Sequence, residues 1–274
     1  MTATTALVEE LMALGLLAGT VLLVHAACSR VGTAPDKVLA ALLQALGPDG
    51  TLVVPTFTAG NSDTSPAYRR CTRGMTERER AAYQDTMPPF DIRRTPSAEM
   101  GQLAEAVRRS PGAVRSAHPQ TSFAALGPRA DELMADHKEA CHLGPNSPLG
   151  RLELARAQVL LLGVGFDRCT GFHLAEYRLP NQPRREYRCV VQSDGERRWT
   201  SFKDVELDDS TFGILGADFE ACRGSGPDPA VRKGSVGDAD ARLFPLAAAV
   251  DFATGWLSGI RRSHIPPASS QGAA

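Results

Sequence analysis

Three side chains able to bind or move a proton crowd one short stretch. They are Thr170, His173 and Glu176 in "LLLGVGFDRCTGFHLAEYR", which runs from Leu160 to Arg178. A histidine and a carboxylate three residues apart share one face of a helix. The carboxylate can hold one ring nitrogen and stabilise the imidazolium that forms when the other nitrogen takes a proton. Thr170 is placed to cap a helix starting near Gly171, which sets His173 at the third helical position. There the positive end of the helix dipole favours a neutral imidazole, the form a general base needs. The bland alternative is a solvated surface pair. Against it, the apolar run before the pair reads as a buried strand, and α/β folds bind ligands at the carboxyl ends of such strands.

Other chemistries compete for the same residues. Cys169 is a conceivable nucleophile, but a cysteine on the turn before the histidine reads better as a small buried filler. His118, Cys141, His142 and His173 are conceivable zinc ligands, yet their spacing matches no compact zinc motif. "GVGFDR" lacks the third glycine of a dinucleotide fingerprint and lies mid-chain.

The elements that must position these residues follow from hydrophobic period. Leu7, Leu11 and Leu14 predict a helix over 4–17. "VLLVHA" (21–26) is a short β-branched strand, "CSRVGTAP" a loop, and Pro35 opens a helix whose stripe includes Val38, Leu42 and Leu46. "TLVVP" (51–55) completes a βαβ unit, which favours parallel pairing. Residues 56–95 are polar with little periodicity and read as a long functional loop. A helix over 97–109, a short strand "SFAALG", a helix over 128–136 and another opened by Ser147-Pro148 follow. "QVLLLGVG" is the strongest strand; "REYRCVVQSDGERRWTSF" is a hairpin turning at Ser193-Asp194-Gly195; a helix over 245–261 closes the chain. Together these give a single α/β domain over 1–262. Its central sheet is mixed and mostly parallel, flanked by helices, with an antiparallel hairpin added. Residues 263–274 read as a flexible tail.

Composition excludes several classes. With 43% hydrophobic residues in 274, the chain can bury a sizeable core. Thirty basic and 31 acidic residues give no electrostatic case for nucleic acid. Six cysteines without a Cys-x-x-Cys read as reduced thiols of a cytoplasmic protein. No apolar stretch approaches the ~20 residues of a membrane span, and the N-terminus lacks a signal-peptide pattern.

Five stretches, taken in order, resemble the aminoglycoside 3-N-acetyltransferase family: "LLVHAACSRVG", "LLQALGPDGTLVVPTFT", "RSAHPQTSFAALGPRA", "SPLGRLELARAQVLLLGVGFDRCTGFHLAEYR" and "VGDADARLFPLAAAVDFATGWL". The resemblance covers roughly residues 5–262. It implies a fold distinct from GNAT acetyltransferases, acetyl-coenzyme A as donor, no metal, and as acceptor the 3-amino group of a 2-deoxystreptamine aminoglycoside. It implies an antibiotic-inactivating role. The same chemistry on an amine of another small molecule, or a non-catalytic relative that binds coenzyme A or a sugar, remains open. So does a homodimer.

By the same resemblance, His173 is the base, Glu176 its orienting acid and Thr170 the neighbouring hydroxyl. The loop His25, Ala26, Ala27, Cys28 and Ser29 would receive the pantetheine and pyrophosphate. Relatives more often carry serine at the place of Ala27 and an apolar residue at that of Cys28, so a hydroxyl contact is absent here. Arg115, Ser116, His118, Ser122 and Phe123 match a second cofactor-lining stretch. The acceptor carries several ammonium groups, so its site should be acidic. Asp63 matches an acidic position of the family; Asp167, Asp209, Asp218 and Glu220, with Asp208, are the other carboxylates expected to meet the acceptor.

Overall fold

The computed structural model describes residues 3–227 and 229–264, so most of the expected tail lies outside the described residues. Helix α1 (Ala3–Ala13) stops short of the expected end near residue 17, because Gly15 adopts φ +103°. Strand β1 (Val21–Ala26) follows, then a one-turn helix α2 (Cys28–Val31) where a loop was expected. Helix α3 (Pro35–Leu46) has proline in its first turn and ends at Gly47, with φ +67°. Strand β2 (Thr51–Pro55) pairs parallel to β1, with Val21 opposite Thr51, as the βαβ pattern predicts.

The segment 56–95 is not a bare loop. It holds α4 (Pro66–Cys71), capped by Ser65, and α5 (Glu77–Thr86), opened by a capping box between Thr76 and Glu79. Helix α5 buries none of its residues, so it has no apolar stripe to betray it. Helix α6 (Gln102–Arg109) and strands β3 (Val114–Arg115) and β4 (Phe123–Leu126) come next. Helices α7 (Ala130–Met134) and α8 (Pro148–Leu154), the latter capped by Ser147, lead to β5 (Gln158–Leu162). Two 3-10 turns, Phe166–Arg168 and Thr170–Phe172, precede helix α9 (His173–Glu176). Strands β6 (Arg184–Ser193) and β7 (Glu196–Val205) form the expected separate hairpin. Helix α10 (Phe212–Arg223), strands β8 (Arg232–Val236) and β9 (Ala239–Pro245), and helix α11 (Leu246–His264) complete the described chain.

The main sheet runs β3-β4-β2-β1-β5-β9-β8. The sheet is mixed but not mostly parallel as expected: parallel pairing is confined to its centre, β2-β1-β5, and the outer pairs β2-β4, β3-β4, β5-β9 and β8-β9 are antiparallel. The β8-β9 hairpin was not foreseen. Four of the five β8 residues are exposed, so that edge strand carries no buried run.

Successive residues of the central strands serve opposite faces of the sheet. Leu23, Val53 and Leu161 pack with Leu149, Phe219 and Val250 from α8, α10 and α11. Leu22, Leu52 and Leu160 pack on the other face with Leu11, Leu42 and Val107 from α1, α3 and α6. Each is wholly buried in a two-layer core, so truncation to alanine costs about 2–5 kcal/mol. The parallel register sets Ala26 beside Leu162 and brings the carboxyl ends of β1 and β5 together. Among the described residues, no helix is long and apolar enough to cross a membrane.

Candidate active site

A cleft of about 680 Å³ opens where β1 and β5 end. Its floor comes from chain segments far apart in sequence. His25 to Ser29 leave β1; Val164 and Asp167 to Thr170 leave β5; Pro55 and Phe57 leave β2. His173, Asp209 and Phe212 close one side, and Glu99 to Gln102 close the other.

His173 is the first residue of α9, and its Nδ1 lies 2.6 Å from Glu176 Oε2. A carboxylate only accepts, so Nδ1 carries a proton, and in the neutral ring Nε2 is the nitrogen with the lone pair. Glu176 is buried, and its second oxygen accepts the amide of Asp208 at 2.9 Å. Its orientation is therefore fixed from two sides. The His173 ring packs on Phe212, centroid to centroid 4.7 Å. The arrangement is a base with an orienting acid, open to the cleft through one ring nitrogen.

Thr170 does not cap a helix as expected. It is the first residue of a 3-10 turn and makes no cap bond; its Oγ1 instead lies 3.3 Å from His25 Nε2. Helix α9 is a single turn, so its dipole is small and the packing around His173, with Glu176, governs the ring instead. Burial pushes the His25 imidazole down to about 3. Burial likewise pushes the Cys169 thiol up to about 12, so that sulfur is an inert filler and not a nucleophile.

The first expected cofactor loop, His25, Ala26, Ala27, Cys28 and Ser29, lines the cleft. The second does not: none of Arg115, Ser116, His118, Ser122 and Phe123 is on its wall. These residues turn inward where β4 pairs alongside β2 and β3 pairs with β4. Arg115 gives its guanidinium protons to the carbonyls of Thr56 (2.8 Å) and Thr95 (2.5 Å) and to Ser122 Oγ (3.0 Å). Ser116 Oγ accepts the Phe123 amide and meets His137. His118 is packed between His137 and His142, each 4.6 Å away, and Phe123 meets Phe57 edge-on. They brace the β2 end that the cleft uses.

Of the expected acceptor carboxylates, Asp167 and Asp209 line the cleft. The other four are elsewhere, and the Asp208 carboxylate accepts the Ser210 amide at 3.0 Å. Asp63 is held by Arg188 at 2.7 Å and by Gln84, and burial keeps its carboxyl above the usual range despite that arginine. Asp218 accepts from the Trp256 indole, and Glu220 pairs with Lys233 and Arg242. The structure adds Glu99, an acid on the cleft wall with a left-handed φ of +61°. Its signal in the sequence was slight: an acid before Gly101 at the mouth of a helix. Of the candidate zinc ligands, His118 and His142 pack together, with their ring nitrogens bonded to protein groups. Among the described residues, no group of three or more His, Cys, Asp or Glu side chains is arranged to hold a metal.

A family model described as aminoglycoside 3-N-acetyltransferase matches residues 23–258. The chain belongs to that family. Aminoglycoside N(3)-acetyltransferase VII of Streptomyces paromomycinus is 36% identical, over 92% of this chain and 90% of its own. The prophage-derived aminoglycoside N(3')-acetyltransferase-like protein YokD of Bacillus subtilis is 35% identical, over 91% and 90%. Its crystal structure superposes with a TM-score of 0.87, over 96% of this chain and 95% of that one. A relative described as AAC-IIIb binary with CoASH is 29% identical, with a TM-score of 0.79 over 94% and 96%. This member of the acetyltransferase family is thus a coenzyme A-dependent enzyme with the family's non-GNAT fold.

Proposed function

We propose that this acetyltransferase moves the acetyl group of acetyl-coenzyme A to the 3-amino group of a 2-deoxystreptamine aminoglycoside. Transfer is direct, in a ternary complex, with His173 as general base. The observation that carries the reading is the His173–Glu176 pair on the wall of a cleft that the His25–Ser29 loop also lines.

The cleft suits a long, thin thioester. Gly101 takes φ +84°, and a Cβ there would lie 3.0 Å from the Ala26 carbonyl, so only glycine leaves the slot between the two loops open. Asp209 supplies negative charge for a polycationic acceptor, and Asp167 and Glu99 stand beside it already paired with Arg168 and Arg70.

An alkylammonium cannot attack a thioester. One proton leaves to solvent, and the amine lone pair then adds to the carbonyl carbon as the C–N bond forms. His173 Nε2 takes the second proton from that nitrogen. Collapse breaks the C–S bond, and the sulfur leaves as a thiol after receiving the proton from His173. Glu176 holds the imidazolium meanwhile. A thioester is already activated, so no covalent enzyme intermediate is required, and proximity supplies much of the rate.

A thiol-release assay with acetyl-coenzyme A and a panel of aminoglycosides tests this, with mass spectrometry locating the acetyl group. Release with an acetylated 3-amino product supports it. Release confined to a non-aminoglycoside amine moves the enzyme to another small-molecule acceptor. Coenzyme A binding with no transfer to any amine leaves a binding protein.

A further inference from the structure

His25 and Thr170 are 145 residues apart in sequence, yet they share the cleft wall with His173. β1 and β5 run side by side, His25 is near the end of β1, and the chain leaving β5 passes through its first 3-10 turn to bring Thr170 back to it. Thr170 Oγ1 has His25 Nε2 as its neighbour at 3.3 Å.

A neutral imidazole has one N–H, so this contact has two forms. If the proton is on Nδ1, Nε2 accepts the Thr170 proton, and the hydroxyl offers the cleft only lone pairs. If it is on Nε2, the ring donates to Thr170 Oγ1, and the threonine's own proton is free to point into the cleft. Only the second form makes Thr170 a hydrogen-bond donor to the cleft. A thioester under attack develops negative charge on its carbonyl oxygen, which demands a donor.

We propose that His25 is a positioning residue: its Nε2–H holds Thr170 Oγ1 so that the hydroxyl proton faces the oxyanion of the acetyl group in transfer. This rests on the acetyl-transfer reading above, with Thr170 as the group that touches the reacting oxygen. The ring's enclosure suits the role. His25 is 6% exposed and carries no charge near neutrality, so it neither competes with His173 for the proton nor attracts the oxyanion to itself.

Two measurements test it. Long-range proton–nitrogen NMR of the ligand-free protein reads the His25 tautomer without any turnover. The Nε2–H form is expected, unchanged from about pH 5 to pH 9; the Nδ1–H form overturns the proposal. Steady-state kinetics supply the second. Thr170→Val is expected to lower kcat about 10- to 100-fold, with the KM for acetyl-coenzyme A within about threefold. His25→Ala should do the same, and the double variant should be no slower than Thr170→Val alone. His25→Gln places an amide N–H near the position of Nε2 and should recover most of kcat, whereas His25→Asn should not.

Multiplicative losses, or equal losses in the alanine and glutamine variants, overturn the proposal. A loss expressed wholly in the acetyl-coenzyme A KM returns His25 to a cofactor contact. If His25→Ala does not fold, Thr170→Ser decides: it keeps the hydroxyl and must stay within about threefold of the parent, while Thr170→Val must not. A parent enzyme that transfers acetyl to no amine sinks the functional reading, and the NMR tautomer then stands or falls independently.

Discussion

Glu176 is shared between two partners: one oxygen lies 2.6 Å from His173 Nδ1, and the other accepts the Asp208 amide at 2.9 Å. The acid is thus tied to the segment that leaves β7 and enters α10. The orientation of the base depends on the seating of the β6-β7 hairpin as well as on its own helix turn. His173→Ala should lower turnover by about 10²- to 10⁴-fold, with coenzyme A affinity little changed. Glu176→Gln should cost less, because it orients and does not carry the transferred proton. Near-parental kcat in the alanine variant, measured by thiol release, would remove His173 from the role.

The fold should weaken in mild acid. Burial pushes the His25 imidazole down to about 3 and that of His137 to about 4, and pushes His118 and His142 downward as well. An unfolded histidine binds a proton near pH 6.5, which these folded ones refuse. Their contribution to stability is therefore complete above about pH 6.5. It is lost as pH falls below that, down to about 4 for His137 and about 3 for His25, by at most about 1.4 kcal/mol per pH unit for each ring. Burial alone would raise the Asp204 carboxyl. Hydrogen bonds from His142, Tyr177 and two backbone amides outweigh that and hold it below the usual range, so its contribution disappears at lower pH still. Calorimetry at about pH 8, 6.5 and 5 should show a steady Tm across the first interval and a fall across the second. A flat Tm down to about pH 5 would refute the assignment.

Gly216 on α10 stands against Phe166, and a Cβ at that position would lie 2.0 Å from the Phe166 Cβ. Gly216→Ala should destabilise by about 1–3 kcal/mol through overpacking. Phe166 belongs to the turn between Val164 and Asp167, both on the cleft wall, so kcat should fall along with Tm. Unaltered stability in thermal unfolding would show that the α10 contact is looser than this packing implies.

The thiols divide by burial. Cys71 and Cys222 are exposed, while Cys169 is enclosed beside the site. Alkylation should modify the two exposed sulfurs and leave activity intact, and Cys169→Ala should keep turnover within about threefold. Loss of turnover that tracks modification of Cys169 in a peptide map would revive a cysteine nucleophile.

What the sequence determined was what lies close along the chain. His173 and Glu176 are three residues apart, and a single helical turn is enough to pair them. Apolar period placed β1, α3, β2 and β5, because those elements bury a stripe or a whole strand. It failed on α5 and β8, which bury almost nothing and so leave no pattern to read. It also could not say which polar residues face the cleft. Arg115 and His118 turn inward to satisfy carbonyls and rings, Asp63 is spent on Arg188, and Glu99 stands on the wall instead. Only the tertiary structure decided these, since a side chain's partner across a sheet depends on register and on which strand lies next. The contact of His25 with Thr170 is the plainest case. Neither residue's neighbours in sequence hint at the other, and only the parallel pairing of β1 with β5 makes them meet.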